Sequence, residues 1–171
     1  RTITWWSQGK AWMKTIARSQ FMLQSGRFVA DVVAFTGEEG PNDLPMLKGS
    51  VVPEGFDYDG CDATVLHAMD VEDGEITLPT GMRYKVLLLP ESTWMTPKTA
   101  RKIADLIVKG ATVVGPRPLK SPSLSDLGQG DLEVRRIGEL VWNDVDGKTK
   151  TKGTFGKGKI YSGVTLKDVL A

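Results

Sequence analysis

The sequence predicts an α/β domain built on an open, mostly parallel sheet, and three observations within one stretch carry that prediction. Val86 to Leu89 is an unbroken apolar run of strand length, which suits a strand covered on both faces. Thr96 and Pro97 then offer a helix start, and Ala100, Ile103, Ala104 and Ile107 recur at helical spacing until Gly110. Ala111 to Val114 is a second short apolar run, so strand, helix and strand follow in the order of a right-handed βαβ crossover.

The remaining elements are read around that core. Ile3 to Trp6 is β-branched and aromatic and reads as a strand end, with Ser7 as a helix cap. From Gln8 to Ser25 a helix is predicted, with Ala11, Trp12, Thr15, Ile16, Ser19, Met22 and Leu23 on one face and Gly26 as its stop. Phe28 to Phe35 reads as the first buried strand, whose single charge, Asp31, must be paired or lie near a strand end. The Gly-, Pro- and acid-rich segment from Thr36 to Gly60 is expected as a loop after the carboxyl end of a parallel strand, where open α/β sheets place their ligands. Cys61 to Met69 reads as a short helix, and Glu75–Leu78 with Met82–Leu89 as a hairpin turned by Pro79, Thr80 and Gly81. After Val114 comes a Pro- and Ser-rich loop, then a helix through Leu132, Val134, Ile137, Leu140 and Val141 started by Asp131. Asn143 to Lys157 is expected as a hairpin tip or loop, Lys159–Tyr161 as the last strand, and Leu166–Leu170 as a helix capped by Thr165.

With 171 residues and 40% hydrophobic content, one domain with a real core is expected. The 22 basic and 21 acidic side chains leave a formal charge of +1, so no global field draws nucleic acid or anionic lipid, and no nucleic-acid or membrane partner is expected. No run of 18 apolar residues exists to span a bilayer as a helix. One cysteine, Cys61, and one histidine, His67, exclude an internal disulfide and any Cys- or His-rich metal centre. The chain opens at Arg1 without a visible leader, and it is expected to be a piece of a longer polypeptide.

Three-layer domains with these elements include the class I glutamine amidotransferase-like and flavodoxin-like folds. The nucleophile of such an amidotransferase needs a Cys on a sharp strand-to-helix turn and a His to take its proton. Cys61 is read as following a loop, and His67 lies six residues on, which is not a contact spacing on a helix. Cys61 is therefore expected as a small buried hydrophobe and His67 as a helix-face residue. Ser92 follows the central strand but lacks a G-x-S-x-G setting and a second histidine as base, so a turn role is expected. The glycines between Gly147 and Gly158 match no phosphate-loop pattern. Glu38, Glu39, Asp43, Asp57, Asp59 and Asp62 form an acid cluster without a cation-binding register, expected as a solvated loop, though two such carboxylates can flank a glycosidic bond. Trp5, Trp6 and Trp12 suit either stacking on a sugar ring or buried helix docking.

The opening ITWWSQGKAWMKTIARSQFMLQSGRFVADVVAFTGEEGPN resembles a segment of the family 106 glycoside hydrolases, the α-L-rhamnosidases. GFDYDGCDATVL, LPTGMRYKVLLLPESTWMTPKTARKIADLIVKGATVVGPRP and KSPSLSD continue the resemblance in order, and together they span nearly the whole chain. The resemblance implies a single amidotransferase-like α/β domain over residues 1–171 that follows a catalytic barrel, with residues 1–7 as the end of that barrel. It implies that the inverting catalytic carboxylates and any calcium ligands belong to the upstream barrel, so no catalytic residue, metal ligand or cofactor is assigned here. It would place Trp5 and Trp6 at the border of the sugar site, and Glu38 and Glu39 of the acid cluster are added as candidates for that border. Its implied partners are the barrel of the same polypeptide and, for the intact enzyme, a rhamnose-containing carbohydrate in a periplasmic or secreted setting. A binding or assembly module and a self-contained hydrolase using Ser92 or Cys61 are the alternatives.

Overall fold

The computed structural model describes residues 4–40, 44, 52–125 and 128–171. The helices are α1 (Lys10–Gln24), α2 (Ala63–Ala68), α3 (Pro97–Lys109), α4 (Gln129–Trp142) and α5 (Leu166–Leu170). The strands are β1 (Val32–Phe35), β2 (Tyr58–Cys61), β3 (Asp70–Glu72), β4 (Glu75–Thr77), β5 (Arg83–Tyr84), β6 (Val86–Leu88), β7 (Thr112–Val114), β8 (Lys152–Phe155) and β9 (Gly158–Tyr161). Six of them form one sheet in the order β2-β1-β6-β7-β9-β8, parallel except where β8 meets β9. The other three make a small antiparallel sheet.

Strand register explains the layers. Val33, Leu87, Val113 and Ile160 stand opposite one another across four strands, and all join the larger core with Ile103, Leu106 and Ile107 of α3 and Val134, Val141 and Trp142 of α4. Their sequence neighbours Val32, Ala34, Val86, Leu88 and Val114 point to the opposite face, where Leu166 of α5 meets them. With both faces covered, the central strands read as continuous apolar runs, and the architecture is a three-layer α/β fold as expected. Complete burial of Ile103, Leu106 and Ile107 contributes roughly 1.5–3 kcal/mol each before entropy is counted.

The predicted crossover is present as β6–α3–β7. The Thr96 side chain accepts the Thr99 N–H, Pro97 occupies the first turn, and Gly110 closes the helix at φ 129°. Thr165 and Asp168 form a reciprocal capping box on α5. Asp31 is paired, its carboxylate 2.8 Å from Lys85 Nζ, just before β1 begins.

Several expectations need correction. Thr4 and Trp5 lie in a turn and Trp6–Gln8 is a 3-10 turn, so the described part of Ile3–Trp6 is not a strand; the Trp5 carbonyl takes the N–H groups of Gln8 and Gly9, which closes the backbone locally. Ser7 falls inside that turn, and α1 follows Gly9 without a side-chain cap. The first strand is only Val32–Phe35, because pairing with β6 starts at Val32, and Phe28 and Val29 are exposed. The segment from Thr36 to Gly60 is not wholly loop: Tyr58–Cys61 pairs in parallel with β1 along the sheet edge, while residues 41–43 and 45–51 lie outside the described residues. Helix α2 begins only at Ala63, capped by Asp62. The Met82–Leu89 run is split at Lys85 between two sheets. Helix α4 starts at Gln129 after Gly128, and Asp131 instead accepts the Ser121 N–H at 2.8 Å from within the first turn. Lys152–Phe155 is a strand rather than loop, because the neighbouring β9 supplies its ladder.

Candidate functional site

Open α/β sheets present ligands where the chain leaves adjacent strands toward opposite sides. Here that point lies between β1, whose continuation runs to β2 on one side, and β6, whose continuation runs to β7 on the other. The segments leaving their carboxyl ends are residues 36–40 and 89–95. They approach closely: Gly37 has φ 93°, and a Cβ there would stand 3.3 Å from the Pro90 ring, so glycine serves both conformation and clearance.

The resulting crevice is filled by the chain itself. Glu38 Oε2 accepts the Thr96 N–H at 2.7 Å, and Oε1 accepts the hydroxyls of Thr96 at 2.8 Å and Thr99 at 2.9 Å. A carboxylate therefore sits at the N-terminus of α3, where free N–H groups and the helix dipole favour an anion. Thr99 is fully buried, and His67 Nε2 lies 3.3 Å from its hydroxyl. With the Thr99 proton directed to Glu38, the contact suits an imidazole that donates from Nε2. Burial lowers the His67 pKa from its ordinary 6.5, helped by Lys98 and opposed by Glu38. Beside this group Glu39 accepts the Ser92 hydroxyl, and Ser92 Oγ in turn accepts the Trp94 N–H at 3.1 Å. Ser92 is thus a turn residue, as expected, and its proton is held by a carboxylate with no imidazole in contact.

The other candidates are dispersed. Cys61 ends β2, so it does stand on a strand-to-helix turn, contrary to the expectation that it follows a loop. Burial, with Asp62 and Asp59 nearby, pushes its thiol up to about 12, leaving no thiolate at neutral pH to act as nucleophile. The acid cluster is dispersed into separate duties: Asp57 and Asp62 are solvent-exposed, as expected, while receiving the Tyr58 N–H and capping α2, and the half-buried Asp59 receives the Tyr84 hydroxyl at 3.0 Å. Asp43 lies outside the described residues. Among the described residues no group of three or more His, Cys, Asp or Glu side chains is arranged to hold a metal ion. Gly147 and Gly156 serve the turns around β8 at positive φ, while Gly153 lies within β8 and Gly158 opens β9; Asp146 accepts the N–H groups of Lys148, Thr149 and Lys150.

Trp5, Trp6 and Trp12 lie far along the chain from this crevice, and none is buried. Trp5 and Trp12, with Gln8 and Gly9, line a shallow concavity of about 280 Å³. Of the residues in the crevice, Thr99 was not anticipated; its partners Glu38 and His67 lie 61 and 32 positions away, beyond any local spacing signal.

Comparison with known proteins gives these features a family. The α-L-rhamnosidase family model, glycoside hydrolase 106, matches residues 1–171. The solved rhamnosidase of Novosphingobium sp. PP1Y superposes with a TM-score of 0.78 at 32% identity, covering 98% of this chain and 16% of that one. A protein of Formosa agariphila described as a putative beta-glucuronidase is 49% identical over 142 residues, which is 83% of this chain and 12% of the relative. The chain thus spans less than a fifth of the length of either, and it is a glycoside hydrolase-related domain. It belongs to the α-L-rhamnosidase family of glycoside hydrolases, family 106.

Proposed function

We propose that this chain is a non-catalytic α/β domain of a longer glycoside hydrolase that removes terminal α-L-rhamnosyl groups with inversion, and that it buttresses the catalytic barrel. The observation that carries this reading is the crevice between β1 and β6, where a ligand would be expected: the Glu38 carboxylate occupies the α3 N-terminus and is satisfied by Thr96 and Thr99. The two potential nucleophiles support it. Ser92 is held by Glu39 and Cys61 is held protonated by burial. Inverting hydrolysis needs a pair of carboxyl groups facing a sugar across roughly 6.5–9.5 Å, and those groups, with any calcium, would belong to the barrel. Trp5 and Trp6 are more than half exposed and would border the sugar pocket, whereas both Glu38 oxygens are engaged at the α3 N-terminus and one Glu39 oxygen takes the Ser92 hydroxyl.

The test compares the 171-residue chain with the longer polypeptide on an aryl α-L-rhamnoside, with an aryl β-glucuronide in parallel. The longer polypeptide should release the phenol from the rhamnoside and the 171-residue chain should release none from either. Turnover by the short chain, abolished by Ser92→Ala or Cys61→Ala, would replace this reading with that of a self-contained hydrolase.

A further inference from the structure

Helix α1 contains no buried residue along its 15 positions. Trp12, Ile16, Ser19 and Leu23 recur at i, i+4, i+7 and i+11, so they form one stripe. Trp12 is 57% exposed, Met22 75% and Leu23 84%, and Trp5 and Trp6 before the helix and Phe28 and Val29 after it are exposed as well. Along the flank Lys10, Lys14 and Arg18 follow at i, i+4 and i+8, and the helix has no acidic residue. An isolated helix of this length is marginal in water, and an apolar patch of this extent marks a surface that is covered in use.

We propose that α1 is the element by which this domain docks onto another part of the same longer polypeptide, its stripe seated in an apolar groove with an acidic rim facing Lys10, Lys14 and Arg18. This rests on the reading of the chain as one domain of a longer hydrolase. The match to the rhamnosidase covers 98% of this chain, so α1 lies inside the shared span, yet that span is only 16% of the rhamnosidase. Most of such a protein therefore stands outside the 171 residues and is available to cover the helix. From Trp12 to Leu23 the stripe extends about 17 Å at 1.5 Å per residue, well beyond one pyranose ring, and Met22 and Leu23 lie at the end remote from the Trp5–Trp12 concavity, so a sugar would leave most of it bare. A second copy paired antiparallel about a twofold axis would bring two ridges of three cations to the same side of the contact, which like-charge repulsion opposes. An acid-rimmed groove on a different surface satisfies both the stripe and the ridge.

Hydrogen–deuterium exchange of peptides spanning residues 10–24 tests the proposal, with peptides from α3 as the internal check on folding. In the longer polypeptide the α1 amides should exchange at least about tenfold more slowly than in the 171-residue chain. The pair Trp12→Asp and Leu23→Asp, and separately Lys10→Glu with Lys14→Glu and Arg18→Glu, should remove that protection while α3 stays protected. Equal exchange in both proteins would overturn the proposal. So would protection in the short chain that rises with its own concentration, which indicates a second copy, or protection that appears only with added L-rhamnose. Catalysis by the short chain would defeat the accessory reading and leave the exchange result to stand by itself; an inactive short chain with equally exchanging α1 would defeat docking alone.

Discussion

Helices α1 and α3 are of similar length and both carry an apolar stripe at helical spacing, but their surroundings are opposite. α3 buries Pro97, Thr99, Ala100, Ile103, Leu106 and Ile107 against the sheet and has its first turn satisfied by Thr96 and Glu38. α1 buries nothing and has no side-chain cap. The difference teaches that amphipathic periodicity announces a partner without saying where the partner is. For α3 it is the sheet and α4 of the same chain; for α1 no described residue supplies it.

That contrast can be broken or sharpened by measurement. Ile103→Ala should destabilise the chain by about 2–5 kcal/mol, read from the urea midpoint at constant slope, because Ile103 is completely buried between α3 and the sheet. Glu38→Ala should cost about 1–3 kcal/mol, since it removes the shared acceptor of the Thr96 N–H and of the Thr96 and Thr99 hydroxyls. Glu38→Gln should cost less, because its amide oxygen can still accept. A loss as small as that of a surface substitution would mean that the α3 N-terminus is not sealed as described. The His67 pKa is lowered in the folded chain, chiefly by burial, so the unfolded chain takes up the proton first. Stability is then fully present above the ordinary value of 6.5 and declines as the pH falls toward the lowered one. The melting temperature should drop between pH 7 and 5.5, and His67→Gln should flatten that part of the curve. The smallest effect belongs to α1: Leu23→Ala in the 171-residue chain should change stability by no more than about 0.5 kcal/mol, and a larger loss would show that the helix already has a partner within the chain.

How much of this was legible follows from where the deciding contacts lie. α3 was readable end to end because its cap, its first-turn proline, its stripe and its closing Gly110 are all local. β2, β3 and β8 were missed because YDGC, DVE and KGTF carry Asp, Glu, Lys and Gly where strand propensity looks for β-branched residues, and their strand character comes from the ladders beside them. The apolar Phe28 and Val29 extend the strand pattern beyond β1 itself, because β6 offers partners only from Val32. At the crevice, Thr96 was visible as a cap, but Glu38 reaching it across 58 positions was not. Cys61 is buried as the sequence leads one to expect, but the strand that precedes it reads as loop because it exists only as the edge neighbour of β1.

The five tryptophans divide unevenly between these regions. Only Trp142 is enclosed, its indole N–H donating to the Gly115 carbonyl at 3.1 Å, whereas Trp5, Trp6, Trp12 and Trp94 face solvent. Intrinsic emission from the folded chain will therefore be dominated by hydrated indoles and will already resemble that of a denatured protein, so its wavelength is a poor reporter of unfolding. The same arrangement makes it a sensitive optical signal for anything that dehydrates the amino-terminal segment, where three of the four exposed rings are gathered.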